Sequence, residues 1–255
     1  MSVKVGRVLG VPVQIHATWF VVFALLSYAI GRGFVANVHE GISAFTAVGV
    51  GALIAAALFG CLIAHELAHA GAARRCGIRT TAIVLSALGG EARMSRDCDS
   101  WPDELRIALA GPAASMILAI GFVIPLLLFR ENALVTTFAF YLAFANGALG
   151  LLNALPGYPM DGGRALRAIL WRATGDRTKA ARIATGAGEL IGLALAVYGA
   201  VILLSGDWNG LWFAATGWYV WDAAALEWER ERLRAVFERA NSGALTAEGA
   251  LALKD

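Results

Sequence analysis

The stretch His65-Glu66-Leu67-Ala68-His69 ends an apolar run, residues 45–64, that is long enough to enter a bilayer. Positions i and i+4 lie on one face of an α-helix, so this spacing places the two imidazoles side by side, with Glu66 next to them. Two neutral imidazoles can hold a zinc ion, and the carboxylate can then take a proton from a water molecule that the metal activates. Ionisable groups are costly in an apolar helix, so the stretch predicts a functional site.

The composition indicates a protein that crosses the membrane several times. Of the 255 residues, 58% are hydrophobic and 16% are charged, whereas soluble domains average about 45–50% apolar and about 25% charged residues. The three cysteines have no paired spacing, and the arginines flank apolar segments, so neither a disulfide framework nor nucleic-acid binding is expected. Six segments are candidate spans: residues 16–30, 45–64, 105–129, 133–155, 183–204 and 211–226. The sequence therefore predicts an all-α polytopic membrane protein with about six transmembrane helices.

Two segments outside these spans predict a small membrane-associated β-strand or hairpin region. Residues 1–14 alternate apolar and polar side chains, which is typical of a short strand or an arm at the membrane interface. Residues 80–88 are β-prone and are followed by Gly89-Gly90, which together form a strand-and-turn pattern.

The distribution of basic residues predicts the orientation. Of 21 Lys and Arg residues, only Arg32 and Arg130 fall in loops that the six-span arrangement places outside. The positive-inside rule then puts both termini in the cytoplasm. The second span runs from outside to inside, so His65 and His69 lie near its cytoplasmic end. The Pro/Gly-rich break at residues 156–163 follows the fourth span and reaches the same side.

A catalytic zinc site uses three protein ligands and a water, so two histidines leave one ligand to be found. Asp161 is a candidate, because it lies in the 156–163 break, and irregular backbone at membrane depth is tolerated where it is buried in protein or lines a cavity. The alternative is a membrane-edge turn with a capping aspartate, which Gly162 and Gly163 also suit. Spacing alone favours neither interpretation.

Several other polar residues have two possible roles. For His16 a satisfied interfacial histidine is favoured over a role at the site, and for Cys61 simple packing is favoured. Glu189, in the fifth segment, is interpreted as a structural or gating partner. Residues 227–255 begin as an amphipathic helix with balanced charges, which indicates a solvated extension of the sixth helix or a linker.

The chain resembles the site-2 proteases, a family of intramembrane zinc metalloproteases. The resemblance rests on the His65–His69 stretch and on residues 153–162, Asn-Ala-Leu-Pro-Gly-Tyr-Pro-Met-Asp-Gly, which match the family pattern Asn-x-x-Pro-x-x-x-x-Asp-Gly. Gly89-Gly90 and Gly111-Pro112 also look like family features. The chain looks most similar to the compact bacterial and archaeal branch related to the sporulation factor protease. The resemblance implies a protease domain at residues 1–226 and a cytoplasmic tail or linker at 227–255, and we expect neither a PDZ nor a CBS domain in these residues.

The resemblance implies roles for individual residues. His65, His69 and Asp161 would hold one Zn²⁺ per chain, and Glu66 would be the general base. As tentative substrate-positioning residues, the resemblance adds Asn153, Pro156, Gly89 and Gly90, although an interhelical hydrogen bond is the alternative for Asn153. The chain departs from the family at Ser115, where many members have asparagine, so the role of this position is left open.

The predicted function is hydrolysis of a peptide bond within or near a transmembrane segment of a membrane-anchored protein or peptide. We expect a multi-pass protein of the cell membrane, with the site near its cytoplasmic side and no nucleic-acid partner. The strand at residues 80–88 could offer an edge to an unwound substrate, or could be a purely structural hairpin. Two other classes are kept as alternatives: a catalytically inactive scaffold of the same fold, and a metal transporter.

Overall fold

The structure is a computed structural model that describes residues 2–35, 41–87 and 89–241. The chain divides into two compact units, Met1–Ala154 and Leu155–Asp255. The first unit contains four strands and four helices, and the second contains three helices. This is the expected mainly helical protein with a small β region. The predicted domain boundary after residue 226 stays a prediction.

The first unit begins with a hairpin and a helix and then alternates between sheet and long helices. Its elements are β1 Ser2–Val8, β2 Val11–His16, α1 Ala17–Ala29 with a π-helical turn Ile30–Val35, α2 Ala44–Arg75, β3 Thr80–Ser86, β4 Gly89–Met94, α3 Trp101–Leu128 and α4 Ala133–Asn153. The predicted strand at 80–88 is therefore present, although Leu88 lies outside the described residues. Gly89-Gly90 begin β4 rather than forming the turn.

The four strands form one sheet in the order β1-β2-β3-β4. β2 and β3 are parallel, with Val13 opposite Ile83, and the pairs β1/β2 and β3/β4 are antiparallel. The hypothesis that residues 80–88 offer a free edge is wrong, because β3 lies between β2 and β4. The edges of the sheet are β1 and β4.

Helix α2 is longer than the apolar run that predicts it. The hydroxyl of Ser43 caps its start by accepting a hydrogen bond from the Thr46 amide at 3.1 Å. Arg74 and Arg75 lie in its last turn, where positive charge is favourable. His65 and His69 therefore lie inside a continuous helix and not at its end. Gly51 brings α2 against α1, since a Cβ there would overlap Ser27 and Gly31.

Helix α3 also begins earlier than predicted, at Trp101, and has Asp103 and Glu104 in its first turn. Pro112 lies inside it. Proline has no amide hydrogen to donate, so one backbone hydrogen bond of the helix is missing there.

The second unit consists of α5 Asp161–Thr174, α6 Arg177–Leu204 and α7 Asn209–Asn241. Helices α6 and α7 pack closely through glycines, since a Cβ on Gly192 would overlap the Gly217 carbonyl oxygen and a Cβ on Gly199 would overlap Ala214. Helix α7 continues into the predicted amphipathic tail, of which residues 242–255 lie outside the described part. Its apolar residues Leu233 and Phe237 are exposed, whereas Glu231 is buried.

Within the described residues, four helices are long and apolar enough to cross a membrane: α2, α3, α4 and α6. The apolar helical stretch Ala17–Gly33 is shorter, and α7 is not in this group. Four of the six predicted spans are thus confirmed by length and composition, and the first and sixth stay predictions. The chain is a multi-pass membrane protein.

Candidate metal centre

Helix α2 places His65 and His69 one turn apart on a face that the protein buries. Their relative exposures are 2% and 4%, and their Nε2 atoms lie 3.2 Å apart. Two ligands of a tetrahedral zinc ion, each at about 2.0–2.1 Å from the metal, are separated by about 3.3 Å. The pair of imidazole nitrogens therefore fits one edge of a zinc coordination tetrahedron.

The other ring nitrogen of His69 has a partner that sets its tautomer. Nδ1 lies 2.7 Å from the backbone carbonyl oxygen of Ile107 on α3. A carbonyl oxygen only accepts, so we assign the proton to Nδ1, which donates it. Nε2 is then the unprotonated nitrogen of His69, which is the form that can bind a metal.

His65 is held by a side chain to which the sequence assigned no polar role. Its Nδ1 lies 2.8 Å from the hydroxyl oxygen of Ser115, which is fully buried on α3. The sequence left the role of Ser115 open, and the structure makes its hydroxyl a hydrogen-bond partner of a candidate ligand. Groups that hold the second nitrogen of a ligating histidine orient the ring and tune its basicity.

Gly111 lies where the two imidazoles come together. A Cβ at this position would overlap the Nε2 atoms of both His65 and His69. The sequence indicated Gly111-Pro112 as a feature shared with the site-2 proteases and gave Gly111 no role beside the histidines. Its contact with the candidate ligands depends on the register between α2 and α3, for which the sequence carries no local signal.

Glu66 is also buried, with 6% of its surface exposed, and it lies against the start of β4. A Cβ on Gly90 would lie 2.8 Å from Cγ and 3.0 Å from Oε1 of Glu66. Gly89 precedes it with a φ of 121°, in a region that favours glycine. The two glycines thus bring an edge strand of the sheet next to the candidate base.

The remaining predicted site residues lie at or beyond the end of α4. Asn153 is the last residue of α4, and its Nδ2 donates to the Leu149 carbonyl at 3.0 Å. That bond is within its own helix, which differs from the interhelical alternative. Pro156 is exposed in the second unit, and Asp161 is half-buried in the first turn of α5.

Two polar residues with open roles have local partners. His16 precedes α1, and its Nδ1 lies 2.9 Å from the Thr18 hydroxyl oxygen, as the favoured structural interpretation predicts. Glu189 on α6 pairs with Arg182 at 3.4 Å, which agrees with a structural partner.

The chain is similar to known proteases over most of its length. Residues 53–134 and 129–199 match the family described as peptidase family M50. The candidate zinc metalloprotease Rip3 of Mycobacterium tuberculosis is 35% identical over 92% of this chain and 61% of its own length. Zinc metalloprotease MJ0392 of Methanocaldococcus jannaschii is 34% identical over 78% of this chain and 54% of its own. A solved site-2 protease from M. jannaschii matches with a TM-score of 0.59 and 28% identity, over 89% of this chain and 95% of that chain.

Together with the buried histidine pair, these relatives define the class as membrane zinc metalloproteases. Within that class, the chain belongs to peptidase family M50, and the resemblance to the site-2 proteases is confirmed. The cofactor of this class is zinc, as the sequence predicted. The chain spans about three fifths of the length of Rip3.

Proposed function

We propose that this chain is an intramembrane endopeptidase that hydrolyses a peptide bond within or near a transmembrane segment of a membrane-anchored protein. The observation that carries the proposal is the grouping on α2: two buried imidazoles with Nε2 atoms 3.2 Å apart, and a buried glutamate beside them. A scaffold needs no base next to its metal, so Glu66 favours an enzyme over an inactive protein of the same fold.

His65, His69 and Asp161 are the proposed ligands of one zinc ion per chain. Asp161 lies in the second motif that this chain shares with the site-2 proteases. Asp161 supplies the third ligand that the histidine pair of the first unit lacks, and the shared motif is what supports its assignment. A carboxylate and two neutral imidazoles are ordinary ligands of catalytic zinc and leave a fourth position for water.

Zinc in such a site lowers the pKa of a water molecule towards neutrality and polarises a carbonyl group. Glu66 takes the proton from the attacking water and later delivers it to the leaving amine, so the residue acts first as base and then as acid. Ser115 and the Ile107 carbonyl hold the two imidazoles in the orientation that points Nε2 at the reacting centre. Burial of the glutamate and both histidines limits competing contact with bulk water.

The substrate has to present an extended backbone, because the carbonyl groups of a transmembrane helix are bonded within the helix. Strand β4 is an edge of the sheet, so it can pair with an unwound segment. Gly90 contacts the side chain of Glu66, so a substrate segment paired with β4 would pass close to the base. Gly89 and Gly90 permit this approach, and Asn153 and Pro156 help to position the cleaved segment.

We place the enzyme in the cell membrane with both termini in the cytoplasm and its site near the cytoplasmic side. The distribution of lysine and arginine between the predicted loops supports this orientation. The proposed partners are the lipid bilayer and a membrane-anchored protein or peptide substrate.

The decisive experiment measures zinc per chain and cleavage in parallel on wild-type protein and on Glu66→Gln and Asp161→Ala. Single-span membrane proteins with a fluorescent reporter, reconstituted with the enzyme in liposomes, serve as substrates. We expect about one zinc and cleavage in the wild type, zinc without cleavage in Glu66→Gln, and loss of both in Asp161→Ala.

Each contrary result has a defined meaning. Normal cleavage by Glu66→Gln would show that the proposed base is wrong, and unchanged zinc in Asp161→Ala would require another third ligand. Zinc flux into the liposomes without cleavage would favour a transporter, and a wild type without zinc would favour a scaffold.

A further inference from the structure

A cavity of about 250 Å³ lies in the first unit, bordered by α1, α2, α4 and the start of β4. Its walls are almost entirely apolar and include Leu26, Phe59, Leu62 and Leu149. The exception is the carboxamide of Asn146 on α4. The cavity is separate from the histidine pair, and the proposed chemistry does not use it.

Asn146 is buried at 1% exposure, yet its amide oxygen accepts no hydrogen bond from the described residues. Its Nδ2 donates to the Leu142 carbonyl at 2.7 Å, whereas none of the described residues forms a hydrogen bond to its buried Oδ1. Asn146 also shares a side-chain hydrogen bond with Cys61, in which the sulfur accepts, so this contact does not satisfy Oδ1. An unsatisfied buried acceptor is destabilising, and an apolar side chain at this position would avoid that cost. This buried oxygen therefore lacks a donor, which a ligand in the adjoining cavity would supply.

The cavity lies close to the candidate base Glu66. Leu62 lines it and precedes Glu66 by four residues, which is one turn or about 6 Å along a helix. Gly89 also lines it and directly precedes Gly90, which contacts Glu66. An extended chain advances about 3.3 Å per residue. A substrate with its scissile bond near Glu66 can thus place a side chain from one or two residues away into the cavity.

We propose that this cavity is a substrate subsite for a large aromatic side chain with one hydrogen-bond donor, tyrosine or tryptophan, which donates to Asn146 Oδ1. The proposal rests on the proposed proteolytic function and names the substrate class for it. The volume corresponds to about eight water molecules, which suits one such ring. These two residues are enriched where transmembrane segments meet the interface, the depth at which the site is placed.

A binding experiment tests the subsite without requiring proteolysis. The detergent-purified full chain is titrated with p-cresol, the side-chain analogue of tyrosine, and with toluene, its counterpart without a donor, and binding is followed by saturation-transfer NMR. Wild-type protein should bind p-cresol about 5- to 150-fold more tightly than toluene, because the hydroxyl satisfies the amide oxygen. Asn146→Leu should remove the difference. Leu149→Ala shortens one apolar wall of the cavity but keeps the amide oxygen of Asn146. The preference for p-cresol over toluene should therefore persist in that control.

Equal binding of both probes to the wild type would overturn the proposal and indicate that water or a lipid chain occupies the cavity. A preference that survives in Asn146→Leu would also overturn it, because the donor would then be recognised elsewhere.

A cleavage experiment links the subsite to substrate choice. Model substrates carry tyrosine or phenylalanine in turn at each position within three residues of the cut. At one position the wild type should prefer tyrosine in kcat/KM, and Asn146→Leu should lose that preference. Cleavage without a difference at any position would refute the subsite, whereas a lack of all cleavage would refute the proposed function and leave the probe binding to decide the cavity.

Discussion

The Nδ1 atom of His65 lies 2.8 Å from the hydroxyl oxygen of Ser115, and both residues are buried between α2 and α3. We expect Ser115→Ala to weaken zinc binding by about 10- to 100-fold, because the ring loses the partner that orients it. Competition with a zinc chelator measures the change. Ser27→Ala is the matched control, since its buried hydroxyl bonds only to the Phe23 carbonyl of its own helix in the described contacts. Unaltered zinc affinity in Ser115→Ala would show that packing alone orients His65.

Gly111 has no side chain, and the imidazoles of His65 and His69 occupy the space that a Cβ at this position would fill. Gly111→Ala should displace both imidazoles, because the new methyl group would overlap their Nε2 atoms, and we expect zinc to be lost. Metal analysis after purification measures this. In the same helix, Gly121→Ala meets no atom within 4 Å and should retain zinc. A fully metallated Gly111→Ala protein would mean that the histidines adjust without cost.

Gly90 contacts the candidate base and not the candidate ligands. Gly90→Ala should therefore keep its zinc but lower kcat by about 100-fold, because a shift of the base by about 1 Å is enough for such a loss. Steady-state cleavage together with metal analysis separates the two effects. Gly6→Ala, on the opposite edge strand with no atom within 4 Å, should change neither quantity. Loss of zinc in Gly90→Ala would place this glycine in the metal site instead.

Glu231 joins three elements of the second unit. Its carboxylate pairs with Arg167 on α5 and, at 2.8 Å, with Arg177 at the start of α6, and the Arg167 guanidinium lies over the Tyr158 ring. Removing one member of a buried ion pair costs about 3–5 kcal/mol. Glu231→Ala should lower the thermal unfolding temperature clearly, as followed by circular dichroism in detergent.

The control for this change is Glu238→Ala on the same helix. Its pair with Arg234 is an exposed i,i+4 contact of the kind that contributes about 0.3–0.5 kcal/mol, so the unfolding temperature should change little. Equal effects of the two substitutions would show that the buried position of Glu231 adds no stability.

Local patterns in the sequence predicted most of the helices and strands. The long apolar runs predicted α2, α3, α4 and α6. Transfer of such a run from water into protein or lipid is the main contribution to its free energy, and a helix of this length can span the bilayer. Their ends were predicted less well: α3 begins at Trp101 and α2 continues to Arg75, since polar turns at a membrane surface extend a helix without an apolar signal. The tail was predicted to be amphipathic, but in its described part, residues 227–241, the buried side chain is that of Glu231, because two arginines distant in sequence neutralise it.

By itself, the sequence determined the chemistry available on α2. The i,i+4 spacing of His65 and His69 places their rings together in any helix, because that adjacency is a property of 3.6 residues per turn. Only the tertiary structure decided what surrounds them. Ser115, the Ile107 carbonyl and Gly111 reach the histidines through the register of α3 against α2, and Gly90 reaches Glu66 through the order of strands in the sheet. These contacts join residues that are 24 to 50 positions apart, so packing between elements, and no local pattern, sets them.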